Sequence, residues 1–181
     1  MYAIVIQVVG NHDVTSTRDS VQILEWELYE KDDLLQYPPI GITSDKVYIG
    51  NDSDGSGVYQ SFDTNFEDTS SSKYAFDHIK NDINGQTVVA WSSPVGNYDS
   101  TTGIFTRLFY TEDINLEKYY GDGIGIILPK QIVLRRYIIY PEINNITTNS
   151  PTTFYVFGRV NDSIILLDTQ TDLYWSSSEN K

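Results

Sequence analysis

The acidic stretch between Tyr48 and Asp63 contains residue types that bind calcium. The stretch can be numbered like an EF-hand loop, with Asp52 as position one. Positions one, three, five, six and twelve are then Asp52, Asp54, Ser56, Gly57 and Asp63. Such a loop uses oxygen ligands at these spacings and a glycine at position six. However, the flanking runs alternate like strands, and Asn, Asp and Gly also favour tight turns. The stretch therefore predicts a hairpin turn, with a calcium site at Asp52, Asp54, Ser56 and Asp63 as the alternative.

Two carboxylates in the run "ILEWELY" have the spacing of an acid–base pair. A strand would place Glu25 and Glu27 on one face, about 6–7 Å apart. Glycoside hydrolases use such a pair, with one carboxyl protonated and the other ionised. Leu24, Trp26 and Leu28 would occupy the opposite face. The alternation therefore predicts that the glutamates lie on the solvent-exposed side of an amphipathic strand.

The tryptophans and one arginine pair are candidates for contact with a ligand or a neighbouring subunit. Trp26, Trp91 and Trp175 could form a platform on which a sugar ring stacks, although aromatic residues of a β-protein more often lie in the core or an interface. Alternation sends the adjacent Arg135 and Arg136 to opposite faces of a strand. At least one of them could then meet an acidic group in the sheet or across a subunit contact.

Motifs of known enzymes are absent from the sequence. There is no Gly-x-Ser-x-Gly elbow, no phosphate-binding loop, no dinucleotide fingerprint and no cysteine. His12 and His78 lie in polar segments, where we expect them to be solvated rather than to share a metal site. The sequence therefore predicts a protein that is not an enzyme, with calcium as the one candidate cofactor.

The charge of the chain restricts its partners. A net charge of −13 opposes binding to the phosphates of nucleic acids and to anionic membrane surfaces. No apolar run approaches the roughly 18 residues that a membrane span requires. We therefore expect neither nucleic acid nor membrane insertion.

Short alternating runs separated by Gly, Asn, Asp and Pro predict an all-β chain. The runs cover residues 2–9, 21–29, 45–50, 56–62, 87–93, 103–110, 123–129, 132–140, 153–160 and 163–168. Helical patterns are limited to 111–120, where Thr111 could be the N-cap, and to 72–83. The pattern predicts a single jelly-roll-like β-sandwich over residues 1–175 with one or two short helices, followed by a polar tail over 176–181.

Two segments resemble structural proteins of viruses. The stretch "NYDSTTGIFT" (97–106) is similar to the "Y…TGxFT" hairpin of C1q/TNF-like jelly-roll heads and to turns of phage fibre proteins. Residues 127–168 resemble β-sandwich segments of phage and large-virus structural proteins, with Leu128, Pro129 and Lys130 entering a long strand pair that ends in the run "PTTFYVFG" and an "NDS" turn. The resemblance implies a jelly-roll virion protein.

These features predict a non-enzymatic virion structural protein, such as a minor capsid, vertex or fibre-associated protein. We expect it to form homo-oligomers, to contact other virion proteins, and to assemble in the host cytoplasm into the particle. The alternative is a carbohydrate- or receptor-binding β-sandwich module. A third candidate is a glycoside hydrolase that uses Glu25 and Glu27.

Overall fold

Twelve strands account for most of the regular structure in this computed structural model, which describes residues 1–11, 20–30, 35–50, 55–63, 72–80, 88–142 and 146–175. The first six strands are β1 (Tyr2–Asn11), β2 (Gln22–Glu30), β3 (Leu35–Tyr37), β4 (Lys46–Ile49), β5 (Gly57–Asp63) and β6 (Trp91–Ser92). The second six are β7 (Tyr110–Glu112), β8 (Lys118–Tyr120), β9 (Asp122–Leu128), β10 (Leu134–Pro141), β11 (Pro151–Val160) and β12 (Ser163–Gln170). The prediction of an all-β chain is confirmed.

The strands form two main antiparallel sheets and one separate hairpin. The larger sheet has six strands in the order β12-β11-β1-β9-β5-β4. The smaller sheet has the order β10-β2-β3, with β6 also paired to β2. Strands β7 and β8 pair only with each other. The first strand, β1, therefore lies inside the larger sheet, between β11 and β9.

Alternation along the strands builds the core between the two sheets. Ile4 and Ile6 of β1 are buried, as are Trp26 and Leu28 of β2. All four belong to one hydrophobic cluster that extends to Trp175 near the end of the described chain. Residues two apart on a strand share a face, so each sheet contributes one apolar side. The predicted β-sandwich is therefore confirmed.

The predicted helix over 111–120 is wrong, because this segment forms the β7–β8 hairpin. Asp113 organises the turn: its carboxylate accepts hydrogen bonds from the backbone N–H of Asn115 at 2.8 Å and of Glu117 at 3.1 Å. Tyr119 of β8 packs on Tyr155 and Phe157 of β11, with ring centroids 4.8 and 5.1 Å apart. Tertiary packing of an aromatic side chain on a sheet has overridden a weak helical pattern.

Helical structure in the described residues is brief. The candidate over 72–83 is a 3-10 turn at Ser72–Phe76, and its end from 81 onward lies outside the described residues. One further helical turn, α1, covers Ile146–Asn149. No helix in the described ranges has the length and hydropathy required to cross a lipid bilayer. The polar tail over 176–181 also lies outside the described residues.

Candidate functional site

The predicted calcium ligands do not form one site, because two of them stand at opposite ends of a strand. Ser56 precedes β5 and Asp63 ends it, so a rise of ~3.3 Å per residue separates them by about 23 Å. Asp52 and Asp54 lie outside the described residues. In the parts of the chain that the structure describes, no group of three or more His, Asp or Glu side chains could hold a metal ion. Ser56 and Asp63 therefore cannot bind the same ion, whereas the part of the calcium prediction that rests on Asp52 and Asp54 stays a prediction.

The glycine and the last aspartate of that stretch have roles within the sandwich. Gly57 has a φ of 141°, and a Cβ there would lie 2.2 Å from the Cβ of Pro129. Asp63 accepts a hydrogen bond from the indole N–H of Trp91 at 3.4 Å. Strands β4 and β5 pair directly, as the hairpin interpretation requires.

The three tryptophans lie in the core and form no exposed platform. Trp26, Trp91 and Trp175 are each at most 1% exposed. The ring of Trp26 lies 5.7 Å from that of Phe76, and the indole of Trp175 donates a hydrogen bond to the carbonyl of Pro151 at 2.7 Å. Large apolar rings gain most from burial between the sheets. Their assignment as surface contacts for a sugar or a subunit is therefore wrong.

Glu25 and Glu27 are buried, contrary to the prediction of an exposed strand face. They do lie opposite Trp26 and Leu28, as alternation requires, but only 0% and 3% of their surface is exposed. The chain at 77–80 covers this face of β2. Lys80 forms an ion pair with Glu27. No pattern in the sequence indicates that a segment 53 residues away encloses the carboxylates.

Glu27 is fully supplied with partners. Besides Lys80, its carboxylate accepts hydrogen bonds from the hydroxyls of Tyr29 at 2.9 Å and Tyr140 at 3.2 Å. Burial and the neighbouring Glu27 charge raise the pKa of Tyr29 to about 12. Burial opposes the charge on Lys80, but its hydrogen bonds to Glu27 and Tyr140 raise the pKa of that ammonium above the ordinary value. This half of the cluster is a buried ion pair with two phenol donors.

Glu25 is less completely paired. One of its oxygens accepts a hydrogen bond from the backbone N–H of His78 at 2.9 Å, and the other has no hydrogen-bond partner among the described residues. Burial, reinforced by the charge of Asp77, raises the pKa of Glu25 well above its usual range. Burial also raises the pKa of Asp77 to about 6 and lowers the pKa of His78. Burial without a partner for the second oxygen therefore favours the protonated form of Glu25.

A protonated carboxyl beside an ionised one is the combination that glycoside hydrolases use. Among the described residues, β2, Tyr140 of β10 and the segment 77–80 enclose both groups, which are at most 3% exposed. The contacts of the cluster have a structural consequence. They fix residues 77–80 on the outer face of the smaller sheet.

The raised pKa of Glu25 predicts how stability changes with pH. An acid that holds its proton more tightly when folded favours the folded state at low pH, and this contribution is lost as pH rises through the folded pKa. The raised pKa of Asp77 also lowers stability as the pH rises from 3.8 to about 6. The lowered pKa of His78 has the opposite effect, since below pH 6.5 it makes stability increase with pH. Because Gln carries no charge, the Glu25→Gln variant should be as stable as the native protein at about pH 4 and more stable than the native protein at about pH 8.

Urea unfolding at both pH values measures this difference. The matched control is Glu112→Gln, the same substitution at an exposed carboxylate, which should show no such divergence. Equal stability of the native protein and Glu25→Gln at both pH values would contradict a raised pKa for Glu25.

A trough opens between the sheets where β10 faces β11 and β12. Tyr137 packs against Phe154 with ring centroids 6.4 Å apart and donates a hydrogen bond to the carboxylate of Asp168. Beyond this bridge, Ile165 and Leu167 of β12 remain 42% and 48% exposed. With the start of β1 and the chain leading into β10, they line a cavity of about 520 Å³, which we call the trough.

Three arginines line the trough, although the whole chain contains only five: Arg135, Arg136 and Arg159. A shift in register between Leu134 and Arg136 makes Arg135 the extra residue of a bulge, so Arg135 and Arg136 are both exposed rather than divided by simple alternation. The guanidinium of Arg136 lies 4.6 Å from the ring centre of Tyr29. Sequence reasoning missed Arg159, which reaches the trough from β11.

The segment 107–120, which we call the arm, exposes an unusual amount of apolar surface. It lies on the outer face of the larger sheet and includes the β7–β8 hairpin. Of the seventeen large apolar side chains exposed among the described residues, six belong to the arm: Leu108, Phe109, Tyr110, Ile114, Leu116 and Tyr120. A backbone hydrogen bond from Ile114 to the carbonyl of Ile164 links the turn to β12 at 2.9 Å. The arm therefore presents an apolar surface from a fixed position.

The enclosed carboxylates, the trough and the arm are the three features that could act beyond the fold itself. Comparison of the chain with protein-family models, with curated proteins and with solved structures found no match. Of the three features, the arm contributes the most exposed large apolar side chains, and the two carboxylates are at most 3% exposed.

Proposed function

We propose that this protein is a non-enzymatic structural component that assembles with copies of itself through the arm. In that role it would pack in a virion as a minor capsid, vertex or fibre-associated protein, with neighbouring virion proteins as further partners. The observation that carries the proposal is the exposure and the backbone conformation of Leu116, which is 75% exposed and has a φ of 66°.

A leucine in a left-handed backbone conformation is costly, since Gly, Asn and Asp adopt that conformation more readily. The turn holds Leu116 there: its N–H donates to the carbonyl of Asp113 at 3.0 Å, and the Asp113 carboxylate binds the backbone on both sides. Within the described chain, Leu116 gains little burial in return. A strained and exposed apolar residue on a fixed turn is best explained by a contact with another molecule.

The charge of the arm also suits association. It contains two basic residues, Arg107 and Lys118, and three acidic residues, Glu112, Asp113 and Glu117, which sum to −1 of the total of −13. Repulsion between copies is therefore concentrated elsewhere on the surface. Since salt screens exposed charges, raising the ionic strength should strengthen the association.

The resemblance to jelly-roll virion proteins and the sandwich fold support the structural role. The enclosure of Glu25 and Glu27 supports the expectation that the protein is not an enzyme, because a substrate would first have to displace residues 77–80. The burial of the three tryptophans leaves the carbohydrate-binding alternative without its platform.

The Leu116→Asn variant should assemble less tightly without any loss of stability in the isolated subunit. Burial of a leucine side chain contributes about 1.5–3 kcal/mol, so its loss should weaken association between two copies by about tenfold or more. Because Asn tolerates positive φ better than Leu, the isolated subunit should be as stable as the native one or slightly more so. Light scattering coupled to size-exclusion chromatography measures the first effect, and thermal unfolding measures the second.

The matched control is Ile40→Asn, at a side chain that is 59% exposed and follows β3 of the smaller sheet. It should leave the association unchanged. If the native protein is monomeric at all concentrations and enters no larger particle, the proposed function is wrong. If Ile40→Asn weakens association as much as Leu116→Asn does, the arm is not the contact.

A further inference from the structure

We propose that the trough is a binding site for a long-chain alkyl carboxylate, with the hydrocarbon chain along its apolar floor and the carboxylate at Arg135 and Arg159. This site lies on the inner face of the larger sheet, whereas the arm lies on the outer face. The inference therefore stands independently of the proposed assembly.

The floor of the trough is apolar and already formed. It is built from core-facing residues of three adjacent strands, Ile4 of β1, Leu128 of β9 and Val156 of β11, which are buried. Ile165 and Leu167 extend this surface along β12 and are still partly exposed. A volume of about 520 Å³ is within the ~300–1,000 Å³ of sites for small ligands. This volume suits a flexible hydrocarbon chain and is small for a segment of a protein.

Gly158 keeps the trough open at its centre. A Cβ at this position would lie 3.1 Å from a methyl group of Leu167, so a larger residue would occupy space in the trough and require the Leu167 side chain to shift by a few tenths of an ångström. The glycine thus leaves a concave surface between β11 and β12.

The head group is identified by the charges at the rim. Arg135 has no hydrogen bond or ion pair with any described residue. Arg159 donates from Nε to the carbonyl of Asn161 at 2.9 Å, and its terminal nitrogen lies 3.9 Å from a carboxylate oxygen of the fully exposed Asp162. Both guanidinium groups therefore have donors to offer, and guanidinium pairs with carboxylate through two parallel hydrogen bonds.

The acidic group within the trough is already engaged. Asp168 accepts hydrogen bonds from Tyr137, from Gln170 at 2.8 Å and from the backbone N–H of Thr169 at 2.8 Å. Burial opposes its ionisation, but these hydrogen bonds lower the pKa of Asp168 below the ordinary value. Its charge is thus held at the Tyr137 bridge, which leaves the arginines as the groups that select the ligand. In a chain of net charge −13, such a basic rim favours an anion.

Isothermal titration of the 181-residue protein with dodecanoate tests the proposal, using dodecyltrimethylammonium as a probe with the same hydrocarbon chain and the opposite charge. Both are used below their critical micelle concentrations. Dodecanoate should bind with one-to-one stoichiometry and at least about tenfold more tightly than the cation, as a charge-assisted hydrogen bond implies. Arg135→Ala should weaken dodecanoate binding by about tenfold or more.

Arg107→Ala is the matched control, since it removes the same charge from the arm and should leave the dodecanoate affinity unchanged. Leu167→Asp, which makes the apolar wall acidic, should abolish binding. Thermal unfolding shows that each variant is folded. Equal affinity for both probes, equal effects of the two arginine variants, or no binding of dodecanoate to the native chain would each overturn the proposal.

Discussion

Replacing Trp26 with Ala should lower the free energy of unfolding by about 3–5 kcal/mol. Trp26 is fully buried at the centre of β2, where it packs against Phe76 and pairs with Ile139 of β10. Its removal leaves a cavity between the two sheets, and strands on both sides of it can relax only in part. Chemical denaturation followed by far-ultraviolet circular dichroism measures the loss.

Two further variants make this prediction specific. Tyr48→Ala removes an aromatic ring that is 70% exposed and should change stability by less than about 1 kcal/mol. Trp26→Phe should cost less than Trp26→Ala, because it retains a ring and removes an indole N–H that has no hydrogen-bond partner among the described residues. A loss for Trp26→Ala no larger than that for Tyr48→Ala would place the tryptophan outside the core.

Lys80→Met should destabilise the protein by about 3 kcal/mol, since removal of one partner of a buried ion pair leaves the other charge unpaired. The expected loss is at the low end of the range for such pairs because the Lys80 side chain is 31% exposed. Glu27 would keep its two tyrosine donors but lose the cation that balances its buried carboxylate. The measurement is urea unfolding at neutral pH.

The double variant Glu27→Gln/Lys80→Met should recover most of that loss, because it removes both charges while an amide oxygen still accepts from Tyr29 and Tyr140. Lys73→Met is the control in the 3-10 turn that precedes the covering segment: the Lys73 ammonium lies 5.1 Å from the ring centre of Tyr74 and forms no ion pair with a buried carboxylate in the described residues. A double variant as unstable as Lys80→Met alone would show that the ion pair is not what holds residues 77–80.

The sheet architecture was predictable because its signal is local. Residues 2–9 and 153–160 alternate or run apolar over strand length, and they form the adjacent strands β1 and β11. By contrast, the helix predicted over 111–120 rested on Thr111 as an N-cap and on the acidic residues that follow it. Its failure has a non-local cause, since Tyr119 is held by two aromatic residues of β11, and no pattern within the segment announces those neighbours.

The same limit applies to the functional features. Alternation placed Glu25 and Glu27 opposite Trp26 correctly, but only the tertiary fold brings Lys80 and Tyr140 over them. The pair at Arg135 and Arg136 was visible in the sequence, whereas the bulge that exposes both and the approach of Arg159 were not. Leu116 had no distinctive signal, because its left-handed conformation depends on the Asp113 turn.

Hydrogen exchange of the backbone amides, measured at low and at high protein concentration, tests most directly whether the arm is the assembly contact. We expect peptides that cover residues 107–120 to exchange more slowly at high concentration, while peptides that cover β4 and β5 are unchanged. The contrary result is unchanged exchange in the arm together with protection of β4, an edge strand of the larger sheet, where Tyr48 is 70% exposed.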